Sequence, residues 1–162
     1  MLAFTPVTYF HEEQRFRESW LWALIAIPLV AVVIAIAAAP RTDTSAIILA
    51  AGVCVLVALL FFVARLETTV TGDGVVVTFH GLWPTRRILL DDIAEYAPMH
   101  YTMWDSGGWG VHLGFAGFTY NVSGNEGVRF TLKRGAPVLV GTQRPAELAA
   151  GVATALAARR SA

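Results

Sequence analysis

Carboxylates and histidines are the side chains of this sequence with most capacity for chemistry, and their spacing does not predict a catalytic or metal site. Asp91 and Asp92 are adjacent, and adjacent residues on a strand point to opposite faces, so they cannot easily share a proton or a metal ion. His80, His100 and His112 lack the spacing that places metal ligands on one helix. We therefore expect a turn or strand-end role for the aspartates, no metal and no cofactor.

A nucleophile for covalent catalysis is also missing. The sequence contains no G-x-S-x-G motif, and its single cysteine, Cys54, lies in an apolar run, which predicts a packing role. We expect no enzymatic activity and no catalytic residue. The alternative is an enzyme of unrecognised class, which would need His100, His112, Asp91 or Asp92 in one pocket.

The glycine-rich stretch GGWGVHLGFAGFTYNVSGNEGV, residues 107–128, has the composition of a phosphate-binding loop. Such a loop leads from a strand into a helix whose amides face the anion, and no helical pattern follows these glycines. Large apolar residues instead alternate with small or polar ones, which predicts consecutive antiparallel strands and turns. The residues expected in the core are Trp109, Val111, Leu113, Tyr120, Val128 and Phe130.

Aromatic and polar side chains cluster in the same region and form the candidate interaction surface of the sequence. Tryptophan and tyrosine are favoured anchors in protein interfaces, and they are equally favoured in the cores of small β domains. The alternative to a surface is therefore a core. The candidate residues are His100, Tyr101, Trp104, Trp109, His112, Tyr120 and Asn121.

Composition points to the elements that hold these residues. The chain of 162 residues is 56% hydrophobic and 15% charged, which favours membrane segments. Two uncharged apolar runs, 20–39 and 46–64, are each long enough to cross a hydrocarbon core of about 30 Å. We expect a transmembrane helical hairpin over 20–64, with a lipid bilayer as its surroundings. A signal peptide is the alternative for the first run.

Arginines predict the orientation of this hairpin. Arg15 and Arg17 precede the first run and Arg65 follows the second, whereas Arg41 alone lies between them. The positive-inside rule then places both termini in the cytoplasm of a multi-pass protein of the cell membrane. Residues 1–19 become a cytosolic juxtamembrane segment. Formal net charge is zero, so no basic field exists to recruit nucleic acid.

Small residues recur every four positions in both runs, and this spacing lets helix backbones approach closely. We expect the two stripes to face each other within one chain, with Ala35 close to Ala50 and Ala31 close to Cys54. A docking surface for another subunit is the alternative. The stripes are Ala31, Ala35 and Ala39 in the first run, and Ala46, Ala50, Cys54 and Ala58 in the second.

Residues 65–162 change to a period of two with regular turn signals, which predicts a cytosolic antiparallel β domain of about seven strands. Asp73-Gly74 is a strong hairpin signal. The segment RPAELAAGVATALAARR predicts a C-terminal helix, because Pro145 and Glu147 suit its first turn and two arginines suit its last turn.

The segments HEEQRFRESWLWAL, GGWGV, YNVSGNEGV and LVGTQRPAELA resemble an uncharacterised bacterial family of two-span membrane proteins with a pleckstrin-homology-like β domain. The resemblance covers nearly the whole chain and implies a fold and a topology, without a reaction or a substrate. Thr71, Gly72, Asp73 and Gly74 replace the basic residues with which pleckstrin domains bind inositol phosphates.

These features predict an α+β membrane protein in which a two-helix transmembrane hairpin precedes the pleckstrin-homology-like domain and its C-terminal helix. The expected function is a non-enzymatic, membrane-anchored interaction or scaffold module that binds a protein partner or associates with itself. Lipid or small-ligand binding at the membrane surface is the alternative. The fold alone cannot choose between them.

Overall fold

Two units make up the chain. The computed structural model describes residues 7–16, 19–38, 44–102, 110–114 and 117–161. The β unit comprises Met1–Arg15 and Arg65–Ala162, and the helical unit comprises Phe16–Ala64. The helical unit is therefore an insertion between two segments of the β unit.

Sheet A of the β unit contains four antiparallel strands in the order β1-β2-β3-β4. The strands are β1 (Thr8–Arg15), β2 (Arg65–Thr71), β3 (Gly74–His80) and β4 (Trp83–Leu89). The predicted hairpin at Asp73-Gly74 is confirmed, because β2 ends and β3 begins around it. A short 3₁₀ turn, Leu90–Asp92, follows β4, so the two aspartates lie in a turn as expected.

Sheet B contains five strands in the order β5-β8-β9-β7-β6. The strands are β5 (Ile93–His100), β6 (Gly110–Gly114), β7 (Gly117–Asn121), β8 (Glu126–Leu132) and β9 (Val138–Gly141). β7 pairs with β9 in parallel, and the other pairs are antiparallel. The strands predicted within 107–128 are confirmed in the part of that stretch that the structure describes.

Burial along these strands decides which predicted core residues are correct. Tyr120, Val128 and Phe130 are buried, which confirms them. Val111 is half-buried, and Leu113 is 68% exposed, so its assignment to the core is wrong. The reason is that β6 is the last strand of sheet B, where alternation continues although the face is not covered. Trp109 lies outside the described residues.

The C-terminal helix α3 (Pro145–Arg160) is confirmed, with Pro145 in its first turn and arginines in its last turn. It buries Leu148, Val152 and Ala155 against the β unit. Gly151 allows a close approach to β1, because a Cβ atom there would lie 2.9 Å from the Cβ of Phe10. Glycine inside a helix costs about 1 kcal/mol relative to alanine, and here it lets α3 contact the N-terminal strand.

The N-terminal strand β1 is a correction to the expected juxtamembrane segment 1–19. β1 pairs with β2 from Arg15 opposite Arg65 to Thr8 opposite Thr71, so the N-terminal residues belong to sheet A. Its inward residues include Glu12 and Gln14 as well as Phe10. Two of these three side chains are polar, so the hydrophobic alternation that marks a strand is absent from the sequence.

The helical unit consists of α1 (Ser19–Ala38) and α2 (Thr44–Val63), so the two apolar runs are helical as expected. The ring of Phe16 packs edge-on against that of Phe61, with centroids 5.1 Å apart. The indole N–H of Trp22 donates to the carbonyl of Phe16 at 3.3 Å.

The contact face of α2 differs from the predicted alanine stripe. A repeat of four residues drifts around a helix by about 40° per step, because one turn takes 3.6 residues. A spacing of three and four stays on one side. Of the predicted residues, Ala31, Ala46 and Ala50 are exposed, so the expected facing stripes are wrong for them, and the side chain of Ala35 lies outside the described residues. Among the described side chains of α2, the half-buried ones are Ala51, Cys54, Ala58 and Phe61, of which Cys54 and Ala58 belong to the predicted stripe.

The predicted membrane spans require correction. Within the described residues, the structure has no helix that is both sufficiently long and sufficiently apolar to cross a membrane. On this finding, the transmembrane hairpin and the multi-pass membrane localisation with cytoplasmic termini are wrong.

The predicted fold class is wrong as a consequence. The described residues form two sheets, of four and five strands, rather than one antiparallel pleckstrin-homology-like domain of about seven strands. A strand precedes α1, and β7 and β9 are parallel. Alternation identifies strands one by one, but it does not give the order in which they pair, so the parallel pair could not be predicted from it.

Candidate functional site

The residues of the candidate interaction surface do not share one environment. His100 ends β5 with its side chain 73% exposed, and its Nε2 lies 3.0 Å from the Glu126 carboxylate. Tyr101, Tyr120 and Asn121 are buried. The backbone of His112 belongs to β6, while its side chain lies outside the described residues. Trp104 and Trp109 also lie outside them.

A cavity of about 180 Å³ lies beside His100. Pockets for small organic ligands usually have volumes of about 300–1,000 Å³, so this cavity is small for such a ligand. Its lining residues are Pro98, Met99, His100, Glu126 and Pro145.

Tyr101 lies over two glycines of sheet B. Gly127 and Gly141 are paired across β8 and β9. A Cβ atom at Gly127 would lie 3.1 Å from the Tyr101 ring, and one at Gly141 would lie 2.7 Å from its hydroxyl oxygen. Burial raises the pKa of Tyr101, and the neighbouring Asn121 side chain partly offsets that rise. The glycine pair thus creates the space that this tyrosine fills.

A buried carboxylate, Glu12, connects β1 to the segment that precedes α3. Its Oε2 accepts hydrogen bonds from the Thr142 hydroxyl and, at 3.2 Å, from the amide of Gln14. Its Oε1 accepts the backbone N–H of Gln143 at 3.2 Å and lies 3.8 Å from Nε of Arg144. Both oxygens are therefore engaged, so this carboxylate acts as a structural acceptor rather than as a base available to a substrate.

Gln14 and Arg144 extend this connection, which we call the Glu12 cluster (Glu12, Gln14, Thr142, Gln143 and Arg144). Gln14 also donates to the carbonyl of Gly141 at 2.8 Å. Arg144 donates to the carbonyl of His11 at 2.7 Å, and its guanidinium lies 5.0 Å from the centre of the Phe10 ring. The cluster therefore connects β1 to the end of sheet B and to the first turn of α3.

Ion pairs on the outer face of sheet A involve groups that are at least one-third exposed. Nε2 of His80 lies 2.8 Å from the Glu67 carboxylate, and Nδ1 of His11 lies 3.9 Å from it. A hydrogen bond from Arg15 lowers the pKa of Glu13. Among the residues that the structure describes, no group of three or more histidine, cysteine, aspartate or glutamate side chains is placed to hold a metal ion.

Asp91 contacts the last turn of α3. Its carboxylate lies 2.5 Å from the guanidinium of Arg159, which also donates to the carbonyl of Gly72 at 3.3 Å. This pair is exposed, and such pairs contribute little to stability. Asp91 is thus engaged by an arginine at the surface.

Arg86 is a half-buried charged residue that forms no ion pair among the described residues. It lies opposite Val77 in the register of β3 and β4, two residues before the buried Ile88, and so points to the inner face of sheet A. Its guanidinium lies 5.9 Å from the centre of the Phe118 ring on β7. Its Nε atom is buried and has no hydrogen-bond partner within the described part of the chain.

The positive charge of Arg86 also affects the pKa of Tyr120. Burial raises the pKa of Tyr120, and the positive charge of Arg86 partly offsets that rise. Arg86 was not among the sequence candidates. The segment TRRIL offered one signal for Arg86. Arg86 and Ile88 are two residues apart, so on a strand their side chains lie on the same face.

Comparison with protein-family models, with curated proteins and with solved structures found no match. The resemblance to a bacterial membrane-protein family is therefore not supported by a matching relative.

Replacing Glu12 with alanine tests the Glu12 cluster. The Thr142 hydroxyl, the Gln143 N–H and the Gln14 amide would lose an acceptor, and we expect the free energy of unfolding to fall by about 3 kcal/mol. Glu13→Ala is the matched control on the same strand, and it should cost much less because its partners are exposed. Urea unfolding measures both values, and equal losses would contradict the structural role of Glu12.

Proposed function

We propose that this chain is a non-enzymatic interaction module whose helical unit binds a protein partner or further copies of the chain. The observation that supports the proposal most directly is the apolar surface of α1 and α2. Ile27 on α1 and Leu56 on α2 are each 66% exposed, and Leu49 and Phe62 on α2 are 70% and 69% exposed. Large exposed apolar surfaces mark sites of interaction.

The distribution of this surface favours association rather than a ligand pocket. Among the described side chains few are half-buried on either helix, so most of the described helix surface presents large aliphatic residues. Packing of several hairpins against each other covers such sides in helical bundles. Exposed aliphatic residues occur along both helices, as at Ile27, Val30, Val33 and Ile34 of α1 and Ile48, Leu49, Val53 and Leu56 of α2.

The β unit supports a role without catalysis. The buried carboxylate of Glu12 is fully engaged by hydrogen bonds, and the exposed carboxylate of Asp91 is paired with Arg159. A general base needs a free lone pair within reach of a substrate proton. Both oxygens of the buried Glu12 carboxylate accept hydrogen bonds, so Glu12 does not offer one in this arrangement.

Photocrosslinking in intact expressing cells tests the proposal. A photoreactive amino acid at Leu56 should give a protein adduct, either at twice the 17.5 kDa mass of the chain or at the mass of a partner. The same amino acid at Thr154, an exposed position on α3, is the control and should give little adduct. Mass spectrometry identifies the captured molecule.

The two supporting outcomes differ in what they identify. A double-mass adduct that contains only this chain supports self-association, and an adduct with one reproducible protein supports a distinct partner. Adducts with lipid alone, or no adduct at Leu56, would contradict the proposal.

A further inference from the structure

We propose that the edge strand β4 binds an extended acidic segment of a protein partner, and that Arg86 binds a carboxylate of that segment. The inference deepens the proposed interaction function by naming a partner chemistry for the β unit. The contacts involved belong to β4 and β7. Peptide binding at β4 can therefore be tested independently of the adducts formed by the helical unit.

The first support is the position of β4 in sheet A. β4 is the last strand of the sheet, and within the described ranges only β3 pairs with it. An edge strand presents backbone N–H and C=O groups to which an extended peptide can add as a further strand. Pro84 lacks a donor near the start of β4, and of the residues after Thr85 alternate ones direct their N–H and C=O groups away from β3.

The second support is charge. β4 carries Arg86 and Arg87, and neither β4 nor β3 contains an acidic residue. Neither arginine forms an ion pair among the described residues, unlike Arg144 and Arg159, whose carboxylate partners are close. The whole chain has a net charge of zero. Arg86 and Arg87 therefore give β4 itself a positive charge, which complements an acidic segment.

The third support is the position of the Arg86 guanidinium. Its contact with the Phe118 ring holds the charge beside the edge by a cation–π interaction. A carboxylate can accept two parallel hydrogen bonds from the two terminal nitrogens of a guanidinium. No described residue accepts a hydrogen bond from the terminal nitrogens of Arg86. Binding would therefore use donors that the described part of the chain leaves open.

An inward charge on an edge strand has another known use, which is to prevent edge-to-edge aggregation. The two roles make different demands on the side chain. Protection of the edge needs only a positive charge, so lysine would serve. Binding a carboxylate through two hydrogen bonds needs the planar guanidinium, so lysine would be a poor substitute.

Fluorescence anisotropy with the full chain tests the inference. The probe is a fluorescein-labelled peptide of seven residues that alternates glutamate and valine, and the comparison peptide has glutamine in place of glutamate. We expect the acidic peptide to bind and the glutamine peptide to bind at least about tenfold more weakly, because charge-assisted hydrogen bonds are lost.

Three variants locate the binding. Arg86→Met should weaken binding of the acidic peptide by about tenfold, and Arg86→Lys should weaken it severalfold. Arg129→Met removes the same charge from an exposed position on β8 and should change affinity by less than about twofold. Circular dichroism checks folding, and Arg86→Lys carries the test if Arg86→Met does not fold.

Four results would overturn the inference. They are no binding of the acidic peptide by the unaltered chain, equal affinity for the glutamine peptide, equal weakening by Arg86→Met and Arg129→Met, or unchanged affinity in Arg86→Lys. The last result would assign Arg86 to edge protection. The expected pattern of all variants would support docking on β4.

Discussion

The β unit depends on the hydrogen bonds that the Glu12 carboxylate accepts. Its two oxygens bind the Thr142 hydroxyl and the Gln143 N–H, which belong to the segment between β9 and α3. A buried carboxylate is unfavourable unless its lone pairs are satisfied. Burial of Glu12 on β1 therefore requires the segment that leads into α3. Gly151 lets β1 and α3 approach closely enough for the contact.

This contact explains how the β unit accommodates an insertion. β1 and β2 are neighbours in sheet A, although the whole helical unit lies between them in sequence. The entropy cost of closing a loop grows only slowly with its length. The pairing from Arg15 with Arg65 to Thr8 with Thr71, together with the Glu12 cluster, closes this long connection.

Local patterns in the sequence predicted the elements that depend on neighbouring residues, such as turn dipeptides, alternating strands and the residues at helix ends. The hairpin at Asp73-Gly74, the strands of 117–121 and 126–132, and the helix that begins at Pro145 were all accessible in this way. β1 was missed because Glu12 and Gln14 face inward, and their burial depends on partners at Gly141 and Thr142. Such distant partners leave no trace in a local pattern.

The candidate site shows the same limit. Tyr101 and Asn121 are of residue types that the sequence analysis assigned to an interface. Tyr101 is buried instead, because Gly127 and Gly141 have no side chains in the space that it fills. Arginine is usually a surface residue, but the register of β3 and β4 points Arg86 inward. Apolar length suggested two membrane spans, whereas no described helix meets the requirement for crossing.

Amide hydrogen exchange of the full chain tests most directly whether β1 completes the β unit. The amides of β1 that bond to β2 should exchange slowly, at rates close to those of β2 and β3, because opening them requires breaking the Glu12 cluster as well as the strand pairing. Exchange of the β1 amides at the rate of an unstructured chain, with β2 and β3 still protected, would contradict it.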